Sequence, residues 1–128
     1  MNKGKLAFEI VTPEGHALKE DLVDEIVFRR KERQFELGSE VAIFPLHGPL
    51  LTRIPIAPVR YRIGRKTYCL TVAGGFVEVR KNRVLVVTPR FELVRAEEPR
   101  PLAKARKTAR QWRKEMTEFQ KEMIGYLS

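Results

Sequence analysis

Residues 44–52 read Phe-Pro-Leu-His-Gly-Pro-Leu-Leu-Thr. Two prolines, a glycine and a histidine interrupt the apolar residues here, so this stretch is not a regular strand throughout. Apolar and polar residues alternate before it, and again after it up to about Glu97, as they do in half-buried β-strands. Beyond Pro101 the pattern becomes helical. We therefore interpret residues 44–52 as an irregular crossing in the middle of a β domain.

Short alternating segments with turn residues between them predict a mainly β chain, folded as a sandwich or barrel. In residues 5–11 and again in residues 57–63, apolar side chains recur at every second position, so they lie on one face of a strand. Gly64 and Arg65 fit a two-residue hairpin turn that begins with glycine. The segments between the turns are too short for helices, so a parallel sheet with helical crossovers is not expected.

The segment from residue 17 to residue 44 is less regular. Residues 17–20 form at most a short strand, and residues 23–28 and 41–44 form two more. Residues 29–40 are mostly charged and offer few candidates for a core. We interpret them as an exposed loop or as the tip of an extended hairpin.

Composition limits the class of protein. Apolar residues make up 43% of the 128, which is enough for a core. No run approaches the roughly 18 apolar residues of a membrane-spanning helix, and the basic N-terminus leads into a strand pattern, not a signal peptide. The lone Cys69 forms no internal disulfide, which favours a cytoplasm-like compartment. The net charge of +9 predicts an acidic partner: nucleic acid, anionic lipid or an acidic protein surface.

The C-terminal segment predicts one long helix. We place a linker at residues 97–101, between a β domain at 1–96 and a helix at 102–128. A helix of about 26 residues is about 39 Å long, so a small sandwich cannot cover all of it. Its apolar stripe must meet a partner, a copy of itself, or only part of the sandwich. The stripe consists of Leu102, Ala105, Ala109, Trp112, Met116, Phe119, Met123 and Tyr126.

Charge along this helix is polarised against the helix dipole. Its first half carries six basic side chains and no acid, whereas the dipole favours acids at that end. Helix stability does not explain this arrangement, but an acidic partner would. The six residues are Lys104, Arg106, Lys107, Arg110, Arg113 and Lys114.

No catalytic or metal-binding constellation is present in the sequence. His47 has no partner at useful spacing, and no HExxH, GxSxG or CxxC motif occurs. Gly74 and Gly75 lack the lysine that follows a phosphate-binding loop, so we expect them to permit a bulge or a positive φ. Cys69 is expected to be an ordinary strand residue.

With these elements in place, the chain resembles the epsilon subunit of F-type ATP synthases, called delta in mitochondria. Residues 8–15 resemble the family's opening strand and its V-T-P-E turn, and residues 43–52 resemble its I-x-P-G-H-A-P-L-L-T motif. Residues 73–79 resemble its S-G-G-F-V-E-V element. The match covers about residues 5–94. The signature positions are Pro45, His47, Pro49, Gly74, Gly75 and Phe76.

The resemblance implies a ten-stranded β-sandwich that docks on the gamma subunit and on the ring of c subunits. Such a subunit is part of the rotor that couples proton or sodium flow to ATP synthesis. It has no active site or cofactor of its own, binds no nucleic acid, and lies peripherally on the cytoplasmic face of the energy-coupling membrane, which it contacts only through the complex. Its helices can restrain ATP hydrolysis by meeting the alpha and beta subunits. The matching basic residues are Arg106, Lys107, Arg110, Arg113 and Lys114.

The chain departs from the family pattern in four places. Leu46 replaces the glycine before the histidine and Gly48 replaces the alanine after it, so we expect the turn to use a shifted glycine. The tail predicts one helix, not a hairpin of two. Ala103 replaces the aspartate of the ATP-binding motif although Arg106 is retained, so no bound ATP is expected. The segment 29–40 is longer and more basic, and the expected c-ring contacts are Arg30, Lys31, Glu32, Arg33 and His47.

A basic β-module that binds nucleic acid is the alternative. The net charge motivates this hypothesis, with Tyr61, Tyr68 and Trp112 as candidates for stacking on bases. Both tyrosines, however, fall in phase with core residues, and Trp112 lies in the helix stripe.

Overall fold

Eight strands and one helix make up the computed structural model, which describes residues 4–15, 17–32 and 37–127. The mainly β class with a single C-terminal helix is thus confirmed. Within the described ranges, no helix combines the length and apolar character needed to cross a membrane. The elements are β1 (Leu6–Val11), β2 (Ala17–Val23), β3 (Glu25–Lys31), β4 (Leu37–Ile43), β5 (Leu50–Ile63), β6 (Lys66–Arg80), β7 (Arg83–Val87), β8 (Phe91–Leu93) and α1 (Pro101–Leu127).

The strands are hydrogen-bonded in the order β2-β1-β7-β6-β5-β3-β4, with β8 attached to β6. Only the pairing of β1 with β7 is parallel among the described strands. The hairpin of β5 and β6 contains the two longest strands of the sheet and turns at Gly64 and Arg65, as the sequence predicted. Its two halves have different neighbours: residues 76–80 of β6 pair with β7, and residues 70–72 pair with β8.

The bend between these halves lies at Pro55, Gly74 and Gly75. Proline has no N–H to donate to the ladder. Both glycines have a positive φ, +82° at Gly74 and +115° at Gly75, which confirms the prediction for this pair. A Cβ at Gly75 would lie 1.9 Å from the carbonyl oxygen of Val87, so only glycine lets β7 approach here. The long hairpin therefore passes from one layer of the sandwich into the other.

The expected count of ten strands is wrong, because the described residues form eight. The physical reason is the length of β5 and β6, of 14 and 15 residues. Each runs through both layers without interruption, so segments that could be four strands are two.

The core lies between the layers and consists of the alternating residues that the sequence predicted. Phe8 and Tyr61 are buried, with ring centroids 5.2 Å apart, and Tyr68 stacks on Tyr61 at 5.0 Å. Burial raises the pKa of Tyr61 to about 12. The other large buried side chains of this core include Leu6, Ile10, Ile26, Phe28, Ile43, Val59, Leu70, Val72, Val77 and Val79.

The helix α1 covers part of the opposite face of the long hairpin. It packs against β5 and β6, where Ala105 and Ala109 are fully buried. Thr71 donates a hydrogen bond from Oγ1 to the carbonyl oxygen of Ala105 at 2.9 Å. Cys69, which points away from the core, is also buried on this face, and burial raises the pKa of its thiol.

The described parts of the charged segment 29–40 lie largely in two paired strands, so the interpretation of the whole segment as an exposed loop is wrong. β3 continues to Lys31, and β4 begins at Leu37. Arg29 pairs with Glu40 across the hairpin, and Arg29 Nη1 donates to the carbonyl oxygen of Gly38 at 3.0 Å. Residue Arg33, an expected c-ring contact, lies outside the described residues. β2 is also longer than predicted, since it extends to Val23.

Asp24 ties the β2–β3 corner to the turn of the long hairpin. Its carboxylate accepts hydrogen bonds from Lys5 Nζ and, at 2.7 Å, from the backbone N–H of Gly64, and Arg62 Nη1 lies 3.8 Å away. The bond from Lys5, followed by the bond from Gly64, lowers the pKa of this carboxyl.

We expect Gly75→Ala to lower the free energy of unfolding by at least about 3 kcal/mol, because it adds a clash with Val87 to an unfavourable φ. Gly15→Ala is the control, since Gly15 has a φ of +87° but no atom within 4 Å of an added Cβ. It should cost only about 1 kcal/mol, the cost of the φ. Urea unfolding of the full chain measures both, and equal losses would contradict the role of the close approach.

We expect Asp24→Asn to lower the melting temperature at pH 7 and to lower it less at pH 3. The folded pKa lies below the unfolded value of about 4, so the stabilisation is complete above pH 4 and is lost as the pH falls through the folded pKa. Asp21→Asn, which removes an exposed carboxylate in β2, is the control. If Asp24→Asn lowers the melting temperature by the same amount at both pH values, this role for the charge is refuted.

Candidate functional site

The crossing between β4 and β5 is a tight turn. The N–H of His47 donates to the carbonyl oxygen of Phe44 at 3.2 Å, and Leu46 has a φ of +69°. The N–H of Leu46 donates to Oδ1 of Asn82 at 2.6 Å. Because Asn82 belongs to the turn between β6 and β7, the crossing is fastened to the neighbouring hairpin.

The expectation of a shifted glycine in this turn is wrong. The left-handed conformation stays at Leu46, and Gly48 is not among the residues with a positive φ. Leucine rarely adopts this conformation, because its Cβ meets the following carbonyl oxygen. Leu46 therefore holds the turn in a strained backbone conformation.

His47 is exposed and acts within the turn. Its Nδ1 lies 2.6 Å from the carbonyl oxygen of Gly48. A carbonyl oxygen only accepts, so Nδ1 carries the hydrogen. In the described parts of the chain, no group of three or more His, Cys, Asp or Glu side chains could hold a metal ion.

Exposed apolar side chains surround the turn. Leu46 is 83% exposed, Leu51 is 70% exposed and Phe44 is 49% exposed. Next to them lies an open depression of about 310 Å³, lined by Pro49, Leu50, Leu51, Glu78, Val79 and Arg80. We call residues 44–51 and this depression the crossing surface. Apolar groups this exposed on a small domain are typical of a contact site.

The expected c-ring contacts are not brought together. Arg30 and Lys31 lie at the end of β3, where Lys31 pairs with Leu37 at the start of β4, and we call this end of the strand pair the hairpin tip. His47, by contrast, follows the other end of β4. Seven residues of extended strand span about 20 Å. The hairpin tip and the crossing surface are therefore two separate sites.

The first half of α1 is anchored to the sandwich. Arg113 Nη1 donates to the carbonyl oxygen of Ile56 at 2.7 Å. The guanidinium of Arg90 lies 3.8 Å from the ring centroid of Trp112, and its Nη2 lies 3.2 Å from Glu115. We call residues 101–115 the docked half of α1. These contacts confirm that the helix meets only part of the sandwich within this chain.

In the second half of α1, three side chains of the apolar stripe are exposed to solvent. Met116 is 47% exposed, Phe119 is 57% exposed and Met123 is 43% exposed. We call residues 116–127 the projecting half.

Between the docked half and the sandwich lies a basic groove of about 230 Å³, the arginine groove. Among the described residues that line it, Glu40 is the one acid, and the hydrogen bond from Arg60 lowers the pKa of this carboxyl, with smaller effects of Arg29 and Arg106. Desolvation, followed by repulsion from Arg110, lowers the pKa of Arg113. The five arginines that line the groove are Arg29, Arg60, Arg106, Arg110 and Arg113.

Of the basic helix residues singled out from sequence, Arg106, Arg110 and Arg113 line this groove, whereas Lys107 and Lys114 do not. Ala103, at the position of the motif aspartate, is also exposed. Sequence reasoning missed Arg29, Arg60, Glu40 and Arg90. Only the outward phase of Arg60 in β5 hinted at its position, because the groove depends on where the helix packs.

The remaining signature residues are structural in this chain. Gly74 and Gly75 form the bend, and Phe76 is half-exposed beside Arg53, whose guanidinium carbon lies 5.9 Å from the ring centroid. Pro45 and Pro49 flank the turn of the crossing.

The aromatic side chains considered for nucleic-acid stacking are occupied by other contacts. Tyr61 is 4% exposed and stacks on Tyr68, and Arg90 covers the ring of Trp112. Each of these rings therefore already stacks on another side chain, which weakens the case for the alternative function.

Comparisons with a family model and with known proteins point to the same family. Residues 5–94 match the family model described as "ATP synthase, Delta/Epsilon chain, beta-sandwich domain". A protein of Syntrophobacter fumaroxidans named "ATP synthase epsilon chain" is 33% identical over 122 residues, which are 91% of this chain and 86% of the relative. A protein of the same name from Dehalococcoides mccartyi is 40% identical over 94 residues, 73% of this chain and 61% of the relative.

Solved structures share the fold. One chain in the central stalk and c-ring structure of the Tetrahymena thermophila mitochondrial ATP synthase matches with a TM-score of 0.57 at 19% identity, over 92% of this chain and 95% of that chain. One chain in the Euglena gracilis mitochondrial ATP synthase structure matches with a TM-score of 0.61 at 19% identity, over 80% of this chain and 61% of that chain. Since the family model covers most of the chain, the protein belongs to the delta/epsilon family of F-type ATP synthase subunits.

Proposed function

We propose that this protein is a rotor subunit of an F-type ATP synthase that links the gamma subunit to the c-ring. The family match over residues 5–94 carries the proposal, and the exposed crossing surface supports it. In this role the chain holds no catalytic residue or cofactor and helps to couple proton or sodium flow to ATP synthesis. It lies peripherally on the cytoplasmic face of the energy-coupling membrane, and only the complex contacts the membrane.

The crossing surface is the better candidate for the c-ring contact. Its exposed leucines and the fixed turn of His47 offer a shaped apolar surface. The tip of the β3–β4 hairpin offers charge instead, through Arg30 and Lys31, at the far end of β4. We assign the hairpin tip to a second contact that depends on salt, because exposed charges act mainly through screened electrostatics.

The helix suits a regulatory role because its two halves differ. The docked half holds α1 on the sandwich, and the projecting half keeps Met116, Phe119 and Met123 exposed for a later contact with the alpha and beta subunits. Arg113 is occupied by the carbonyl oxygen of Ile56 while the helix is docked. For Arg113 to meet an acidic loop of a beta subunit, α1 must first leave the sandwich. We therefore propose that the docked form permits ATP hydrolysis and that the released form restrains it.

We expect the tagged chain to co-purify with gamma and c subunits from its own organism, and Leu51→Gln to weaken retention of the c-ring about tenfold, as loss of a central apolar contact does. Leu93→Gln, at a side chain of 48% exposure in β8, is the matched control and should bind as the unmodified chain does. Failure of the unmodified chain to capture any gamma subunit would end the proposal.

We expect deletion of residues 119–128 to raise ATP hydrolysis by the assembled complex. The deletion removes Phe119 and Met123 but keeps the anchors of the docked half, so the free energy of unfolding should change by less than about 0.5 kcal/mol. The comparison variant is Trp112→Ala, which removes the stacking on Arg90 and should cost about 1–2 kcal/mol.

Trp112→Ala should lower hydrolysis, because a loosened helix leaves the sandwich more often, while the deletion raises it. Opposite signs therefore indicate restraint by the released helix. If both variants hydrolyse ATP at the rate of the unmodified complex, the helix is only structural.

A further inference from the structure

Leu46 combines two unfavourable properties in one residue. Its φ of +69° strains the backbone, and 83% of the side chain is exposed to solvent. A glycine would remove both. Strained positions persist only where the surrounding structure holds them, and they are concentrated at functional sites.

The side chain of Asn82 is what holds the strained residue. Its Oδ1 accepts the hydrogen bond from the N–H of Leu46 at 2.6 Å. Asn82 is itself left-handed, with a φ of +59°, a conformation that asparagine tolerates well. Its backbone carbonyl oxygen accepts a hydrogen bond from the N–H of Ala7 at 2.9 Å, so the acceptor is anchored to β1.

We propose that Asn82 positions the crossing turn and thereby presents the side chain of Leu46 as an apolar contact for the c-ring. This inference rests on the proposed function and deepens it, because it names one contact residue within the crossing surface and the residue that positions it. Leu46 is the contact residue, and Asn82 is the positioning residue that acts through it.

The advantage of this arrangement is preorganisation. A loop that is already fixed in its binding shape loses little conformational freedom when a partner arrives. Glycine at position 46 would form the turn without strain but would offer no side chain. The leucine costs backbone strain and supplies apolar contact area at the most exposed point of the crossing surface.

Amide hydrogen exchange of the full chain tests the positioning role. Asn82→Gly keeps a residue that accepts the positive φ and removes the side-chain acceptor, whereas Asn82→Asp keeps an acceptor oxygen. The amide of Leu46 should exchange about fivefold faster in Asn82→Gly, the effect of losing one hydrogen bond, and at an unchanged rate in Asn82→Asp. Equal exchange in Asn82→Gly and the unmodified chain would overturn the positioning role.

Binding to the c-ring purified from the same organism tests the contact role. Leu46→Ala and Leu46→Gly should each weaken binding about tenfold, because both remove the apolar side chain. Leu46→Gly should have a higher melting temperature than Leu46→Ala, because only glycine relieves the strain. At most positions alanine is the more stabilising of the two residues. Unchanged binding by both variants would overturn the contact role.

A double-mutant cycle joins the two roles. Asn82→Gly should weaken binding about fivefold when residue 46 is leucine and should have no effect in the Leu46→Gly background. The same loss in both backgrounds would show that Asn82 does not act through Leu46. If the unmodified chain fails to bind the c-ring, the proposed function and the contact role fall together, while the exchange measurement still decides whether Asn82 holds the turn.

Discussion

The close approach of Gly75 to Val87 is the constraint on which the two-layered architecture depends. With no Cβ at this point, β7 can lie against β6 just where the long hairpin changes layer. Pro55, on the facing strand, contributes no N–H to the ladder there, so the bend breaks fewer hydrogen bonds. One half of the hairpin then joins β7 and β1, and the other joins β3 and β8. The core, the crossing surface and the seat of the helix all follow from this bend.

Local pattern was enough to predict the core strands, the hairpin turn at Gly64, the glycine pair and the C-terminal helix, because each depends on neighbouring residues alone. The strand count depended on whether β5 and β6 break at the bend. Alternation of apolar and polar residues does not show whether one strand continues through a bend or two strands meet there. Cys69 illustrates a further limit: it was expected to be an ordinary strand residue, but a helix more than thirty residues away in sequence covers and buries it.

The site was less predictable than the fold, since it combines residues that are distant in sequence. Position 46 was marked as a departure, yet the sequence favoured moving the glycine over straining a leucine, because the acceptor on Asn82 is visible only after folding. The arginine groove likewise needs β3, β5 and α1 in register. Nothing within the helix itself explains its excess of basic side chains. In the folded chain, Arg106 interacts with the carboxylate of Glu40, and Arg113 donates to the carbonyl oxygen of Ile56.

The alanines beneath the docked half have an energetic consequence. Ala105 and Ala109 let the helix axis come close to the sheet, but each buries only a methyl group, worth about 0.8 kcal/mol. Leucines at these positions would bury more apolar area and would be harder to expose. The hydroxyl of Thr71 can exchange the carbonyl oxygen of Ala105 for water when the helix departs, so this polar contact adds little. Because the contact between α1 and the sheet is close but buries little apolar area, α1 has a defined docked position. A modest binding energy at another surface can compete with this docking.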